Sequence, residues 1–310
     1  MISVVIPVYH AQNIIEDLLK RLFTTLDRYH EKYEIILVDD ASKDNSWNQI
    51  SKLAVTKEQL KAIRFSRNFG QHNAITAGLN YSKGDFVIVM DCDLQHSPEY
   101  IPKLLEKIKQ GFDVVYAKDS KRKHSIVRNF FARLFKNIFN WLSSDTETNL
   151  SYSSFTCLSR KVVDALLKIN DQHRHYLLML NWLGFPSSEV IIEHQPRHSG
   201  KSSYSYSKLV KHALNGISSQ SVRLLYISIT VGFIYLFTAI IYSSYLIFSY
   251  FNYGFKEGWT SLMVTVLFST GFILLSLGIT GVYLGKVFEQ VKDRPLYIIS
   301  ETININKEKP

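Results

Sequence analysis

Phe86-Val87-Ile88-Val89-Met90-Asp91-Cys92-Asp93-Leu94-Gln95 is the stretch on which the reading of the fold turns. Five consecutive apolar residues are short for a helix and suit a strand buried on both faces. The run ends in two carboxylates and an amide at spacing two, so an extended segment aims all three the same way. The pattern of an apolar run and then a helical stripe recurs on either side. Ser3–Val8 reads as a strand, and Asn13–Leu26 as a helix with the stripe Ile14, Leu18, Leu19, Leu22 and Leu26. Glu34–Val38 is a second strand that ends at Asp39-Asp40, followed by a short helix over Asn45–Leu53. Lys61–Phe65, Phe86–Met90 and Val114–Tyr116 are further strands; Asn73–Tyr81 and Pro98–Gln110 are helices, closed by Gly84 and Gly111. Strands alternating with helices predict an α/β domain with a mostly parallel sheet and helices on both faces. Ligands of such sheets bind outside the carboxyl ends of the strands. Asp39, Asp40, Asp91 and Asp93 therefore fall on one rim.

Oxygen donors at Asp91, Asp93 and Gln95 are the chemistry that Mg²⁺ or Mn²⁺ prefers. A cation held there would offset charge on a departing diphosphate. A bare Asp-x-Asp also occurs in solvated loops; the preceding strand and the second acidic pair give this one more weight.

The rest of the chain is built differently. Of 310 residues with a mean hydropathy of −0.02, none is charged from Leu224 to Phe251 or from Trp259 to Gly285. A helix needs roughly 20 apolar residues to cross the hydrocarbon core. Both runs are long enough, although buried core helices share the composition. Lys208, Lys211 and Arg223 precede the pair and Lys286, Lys292 and Arg294 follow it, while Asn252–Gly258 holds one Lys and one Glu. That bias places both ends in the cytoplasm with a short loop outside. The domains expected are 1–223, catalytic; 224–251 and 259–285, spanning; and 286–310, a cytoplasmic tail that is polar and frayed from Ser300. No basic segment or cleavage site precedes the first strand, so no signal peptide is expected. Cys92 and Cys157 supply neither a disulfide framework nor a zinc site.

The net charge of +9 is concentrated, with seven Lys/Arg between Lys118 and Lys136. Anionic lipid or a phosphorylated substrate fits beside membrane spans, and no nucleic-acid motif accompanies the charge. Within 126–142, Val127, Phe130, Phe131, Leu134, Ile138, Trp141 and Leu142 share one helical face opposite Arg128, Arg133 and Lys136. A helix lying in the membrane interface and a helix packed on the domain both satisfy this pattern. The scattered histidines have no metal spacing; His96, beside Gln95, is the one placed near a metal.

The chain resembles family 2 glycosyltransferases with the GT-A fold, above all the polyprenyl-phosphate branch of bactoprenol glucosyltransferases and dolichol-phosphate mannose synthases. The stretches that carry the resemblance are Val4–Tyr9, Val38–Ser42, Ser66–Gln71, Met90–His96, Gly200-Lys201-Ser202-Ser203-Tyr204, Gly281-Val282-Tyr283-Leu284-Gly285 and Arg294-Pro295-Leu296-Tyr297. They extend over nearly the whole chain. The resemblance implies an inverting transfer of a sugar, UDP-glucose being the leading donor, to polyprenyl phosphate. It implies a nucleotide-sugar site at Pro7, Tyr9, Asp39, Asp40, Asn68, Gln71 and Asp91, and catalytic roles for Asp91, Asp93, Arg197 and Lys201. Lys121, Arg122, Arg128 and Arg133 are candidates for holding the acceptor phosphate. Homo-oligomers and a small flippase partner are expectations of the same origin.

Departures from the family pattern leave other readings open. His10-Ala11-Gln12 replaces Asn and acidic residues, which puts one base-pocket acceptor in question. Ser154 stands where many relatives carry an Asp viewed as a base, and Val282 where a Glu is common. A non-catalytic scaffold that kept the fold would explain the first two. A polysaccharide synthase would carry Gln-x-x-Arg-Trp and more spans; Gln172-His173-Arg174-His175-Tyr176 is the nearest approach.

Overall fold

Alternation along the strands builds two hydrophobic layers. In the computed structural model, which describes residues 1–29, 31–119, 152–193, 223–253 and 258–305, Ile2, Val4, Ile6 and Val8 of β1 (Ile2–Val8) face one layer and Val5 the other. In β2 (Tyr33–Asp39), Ile35 and Leu37 take the first side and Ile36 and Val38 the second. The first layer is completed by α1 (Ile15–Asp27), α2 (Ser46–Thr56) and α4 (Ile101–Ile108). The second is completed by α3 (Gln71–Tyr81), α5 (Arg160–Leu167) and α6 (Tyr176–Leu183). Helices thus cover both faces of one sheet. Gly78 lets α3 lie directly on β1, because a Cβ there would collide with Val5 Cγ1.

The other strands are β3 (Leu60–Phe65), β4 (Phe86–Val89), β5 (Val114–Asp119), β6 (Tyr152–Ser159), β7 (Ser187–Ile192) and β8 (Ile299–Ile303). The order across the sheet is β7-β5-β6-β4-β1-β2-β3-β8. Pairs β1–β2, β1–β4, β2–β3 and β5–β7 are parallel, and β6 and β8 run antiparallel to their neighbours. The sheet is therefore mixed and mostly parallel, as the alternation predicts. From β1 the chain winds outward through β2 and β3 and then returns to the other side of β1 as β4. The switch point between β1 and β4 is where such sheets bind ligands.

The sequence reading places no element between residue 143 and the first span. The structure places β6, α5, α6 and β7 there. The frayed tail is corrected as well. Ile299–Ile303 is an edge strand on β3, with Ala62 opposite Ile303 and Arg64 opposite Glu301. Edge strands are commonly polar, so Ser300-Glu301-Thr302 reads as solvated until its partner is known. Asn304 Nδ2 then closes the segment by donating to the carbonyls of Ala54, Lys57 and Leu60.

A second unit comprises two helices, α7 (Arg223–Tyr253) and α8 (Trp259–Val291), while the chain from Arg294 onward belongs with the α/β domain. At 31 and 33 residues, each is about 45–50 Å long. Leu225–Tyr242 and Phe268–Val291 have mean hydropathies of 2.0 and 1.7, and none of their described residues is fully buried. Both helices are long and apolar enough to cross a membrane. Their rings touch at Tyr235 and Phe272, whose centroids lie 5.5 Å apart. The second helix outruns the span read from sequence, continuing past Lys286 and Glu289.

Candidate active site at the carboxyl rim

Four successive strands each lead into a residue with positive φ: His10 (53°) after β1, Ala41 (55°) after β2, Gly70 (94°) after β3 and Leu94 (57°) after β4. Three of these are not glycine, and such strain persists only where surrounding contacts over-determine it. The contacts are present. His10, Ala11 and Gln12 donate their amides to Ser42 Oγ, Ser46 Oγ and Asp44 Oδ2 at 3.0, 2.9 and 3.2 Å. Gln12 Oε1 accepts from the Asn45 amide at 2.9 Å. The run that departs from the family pattern thus staples the β1 loop to the β2 loop.

Pro7 is buried within β1 opposite Val38. Odd-numbered residues of β1 address β4, as the Met90 amide on the Val5 carbonyl shows. Pairing with β4 stops at Val5, so the missing N–H of Pro7 breaks no ladder bond. The proline ends the β1–β4 ladder at the switch point. Tyr9, just beyond, is 48 % exposed at that opening.

Asp39 is fully buried. It accepts the Ser42 amide on both oxygens at 3.3 Å and lies 3.5 Å from Arg64 Nε. Burial pushes its carboxyl above the usual range, opposed by the Ser42 bonds and Arg64. Asp40, which follows Asp39, is tied to a neighbouring loop. Its two oxygens accept the amides of Phe69 and Gly70 at 2.6 and 2.9 Å, so it holds the Ser66–Gln71 loop. Burial also pushes its carboxyl above the usual carboxylate range, opposed by those two amides. Asn68 is exposed on that loop.

Asp91 is bound on both sides. Oδ1 accepts from Gln71 Nε2 at 2.7 Å, and Oδ2 from Ser154 Oγ at 2.6 Å. The register explains Ser154: β4 and β6 pair Val89 with Thr156, and two residues further on Asp91 meets Ser154. Burial lifts the Asp91 carboxyl; the bond from Ser154 and the charge of His96 oppose the rise, and the nearby charge of Asp93 adds to it. Asp93 Oδ1 accepts the Gln95 amide at 3.1 Å. His96 is buried, its ring 5.8 Å from that of Phe155.

Two carboxylates that repel one another at the mouth of a switch point suit a divalent cation. Among the described residues no three His, Cys, Asp or Glu side chains converge as a metal cage. Asp91, Asp93 and Gln95 are, among the described residues, the oxygen donors that would hold such a cation, the ligand type Mg²⁺ and Mn²⁺ prefer. Burial pushes the Cys92 thiol up to about 12, so it stays protonated and offers no thiolate.

Arg197, Lys201, Lys121, Arg122, Arg128, Arg133 and the amphipathic segment 126–142 lie outside the described residues. Three site groups escaped the sequence reading: the donor role of Ser154, and Arg64 and Glu301 behind Asp39. An Arg at the end of a strand beside Asp39 was the only available signal.

The model of the Glycosyl transferase family 2 matches residues 3–167, more than half of the chain. The chain belongs to this family. Its fold is GT-A, and it resembles glucosyl-3-phosphoglycerate synthase from Mycobacterium tuberculosis with a TM-score of 0.50 at 18 % identity, over 71 % of this chain and 78 % of that one. An uncharacterized glycosyltransferase of Synechocystis is 36 % identical across 97 % of this chain and 95 % of its own length. The undecaprenyl-phosphate 4-deoxy-4-formamido-L-arabinose transferase of Edwardsiella ictaluri is 32 % identical across 99 % and 95 %. The similarity to these relatives extends beyond the matched residues 3–167, over α7 and α8 as well.

Proposed function

We propose that this family 2 chain is a membrane-bound inverting glycosyltransferase. It transfers a sugar from a UDP-sugar, UDP-glucose in the first instance, to polyprenyl phosphate at the cytoplasmic face. The observation that carries the reading is the conjunction of an acidic switch-point rim with two helices able to cross a membrane. The full-length similarity to a transferase named for undecaprenyl phosphate supports the acceptor. That relative's sugar, 4-deoxy-4-formamido-L-arabinose, is the second donor to test.

In this reading Tyr9 and Asp39 line the base and ribose pocket, where a carboxylate accepts from an N–H or a hydroxyl. Asn68 and Gln71 border it, and Asp40 fixes their loop. Asp91 and Asp93, with Gln95 as a further ligand, hold Mg²⁺ or Mn²⁺. When bound, that cation offsets charge on the leaving diphosphate. Arg197 and Lys201 reach the donor phosphates, and Lys121, Arg122, Arg128 and Arg133 the acceptor phosphate. Both helices cross the membrane, with the α/β domain on the Lys/Arg-rich side.

A phosphate monoester has its second pKa at about 6, so the nucleophile is anionic at neutral pH and needs positioning rather than a base. Ser154 agrees, because its hydroxyl is committed as a donor to Asp91. Ser154→Ala is expected to lower kcat less than about tenfold, the scale of one hydrogen bond. Loss of a true general base costs roughly 10²–10⁴-fold, and a drop of that size would assign Ser154 to proton transfer.

The function itself is tested by offering radiolabelled nucleotide sugars, including UDP-glucose and UDP-4-deoxy-4-formamido-L-arabinose, with undecaprenyl phosphate to the full-length protein in detergent, with and without Mn²⁺. A metal-dependent lipid product establishes the reaction. Folded protein that binds nucleotide and transfers from no donor would favour the scaffold.

A further inference from the structure

Asp39 is a buried carboxylate supported by the side chain and amide of Ser42. The amide bonds are long, at 3.3 Å, and the described cation beside it is Arg64, with Nε 3.5 Å from Oδ2. A free arginine side chain loses considerable rotamer entropy when held in one place. Here it is held from the other side. Arg64 Nη1 donates to Glu301 Oε1 at 3.1 Å. The other oxygen of Glu301 accepts from Trp47 Nε1, also at 3.1 Å. The guanidinium carbon lies 5.5 Å from the Trp47 ring centroid, within reach of a cation–π attraction. Arg64 and Glu301 are directly opposed on the β3–β8 ladder.

We propose that Glu301 is a positioning residue for nucleotide binding, which fixes the Arg64 guanidinium against Asp39 through a Trp47–Glu301–Arg64–Asp39 chain. The strand that follows the membrane helices thereby completes the nucleotide pocket. This rests on the assignment of Asp39 to the base and ribose pocket made above.

The segment around Glu301 is built to hold it. The Ser66 amide donates to the Ile298 carbonyl at 2.9 Å, and Ser300 Oγ reaches the carbonyl of Arg64 at 3.1 Å. Tyr297 stacks on Phe65 with centroids 5.1 Å apart and 12° between planes. All of these contacts fall on the end of β3 that opens into the Ser66–Gln71 loop, the loop clamped by Asp40. A displacement of β8 is therefore felt at both carboxylates after β2. The Glu301 side chain is about half exposed, at 53 %, so solvent screens its charge. Its effect comes through orientation.

The test is UDP binding to the full-length protein in detergent with Mn²⁺, by calorimetry, for wild type, Glu301→Gln, Glu301→Asp and Glu301→Ala, with a thermal midpoint for each. Glu301→Ala is expected to weaken UDP roughly tenfold, the scale on which outer-shell groups orient a ligand-binding residue. Glu301→Gln should be intermediate and Glu301→Asp should recover part of the affinity. In turnover, KM for the donor should rise while kcat at saturating donor changes less than about twofold. Trp47→Phe, which removes the Nε1 donor and keeps the ring, should move UDP affinity in the same direction. Affinity unchanged within about twofold in every folded variant would overturn the proposal and leave Glu301 as a tie between strands. Wild type that binds no UDP, and none of ADP, CDP or GDP, would overturn the nucleotide-sugar reading and this proposal together.

Discussion

Asp93→Asn is expected to lower kcat roughly 10²–10³-fold at saturating donor and metal, the loss seen when one preorganised contact to developing charge is removed. The substitution keeps the side chain's shape, and its carbonyl oxygen can still accept the Gln95 amide, the bond Asp93 Oδ1 makes at 3.1 Å. What it removes is a negative charge beside Asp91. That charge is one cause of the raised Asp91 carboxyl. Linkage then gives the sign for stability. A buried carboxylate whose pKa is raised on folding destabilises the fold wherever it is ionised, and relieving the repulsion lets Asp91 ionise at lower cost. The thermal midpoint of Asp93→Asn should therefore equal or exceed that of wild type at neutral pH while turnover collapses. Stopped turnover with an unshifted or higher midpoint assigns Asp93 to the chemistry. Wild-type turnover in the variant would remove Asp93 from it.

Ending the chain after residue 223 is expected to unfold the α/β domain. The cut also removes β8, the strand paired with β3. Tyr297, Ile299 and Ile305 pack against the second core layer and Ile303 against the first. Burying an aliphatic side chain contributes about 1.5–3 kcal/mol, so the loss is on the order of 5 kcal/mol for these partly buried residues. That is comparable with the whole stability of many domains. The cut would also bare the edge of β3. A chain in which residues 224–293 are replaced by a flexible Gly/Ser linker, with 294–310 kept, should melt cooperatively and bind UDP. Melting curves of the two proteins decide the matter. Equal midpoints would show β8 to be dispensable.

The acidic rim was legible because its signals are local. An apolar run followed by Asp91-Cys92-Asp93 needs only strand geometry to aim both carboxylates outward, and β1 to β5 follow from alternation within a few residues. The roles of individual carboxylates were not legible. Nothing in the sequence shows that the oxygens of Asp40 accept the amides of Phe69 and Gly70. Ser154 looks like a missing base until β6 is known to run antiparallel beside β4, which sets its hydroxyl on Asp91. The strands β6, β7 and β8 are short or polar, and their periodicity does not separate them from loops.

By itself the sequence determined what depends on local pattern and composition: an α/β domain with acidic strand ends, and two uncharged runs long enough for a membrane. Each of these is set by residue spacing, by the side-chain periods of 2.0 and 3.6, and by the solvation of charged groups. Only the tertiary structure decided which partners each carboxylate meets, side chains at Asp91 and loop amides at Asp40, and that the last strand closes the first domain. Those outcomes depend on pairs such as Arg64 and Glu301, which lie far apart in the chain and opposite each other on one ladder. Burial then gives such pairs their weight, since a carboxylate withdrawn from water, as Asp39 is, depends on the partner the fold brings to it.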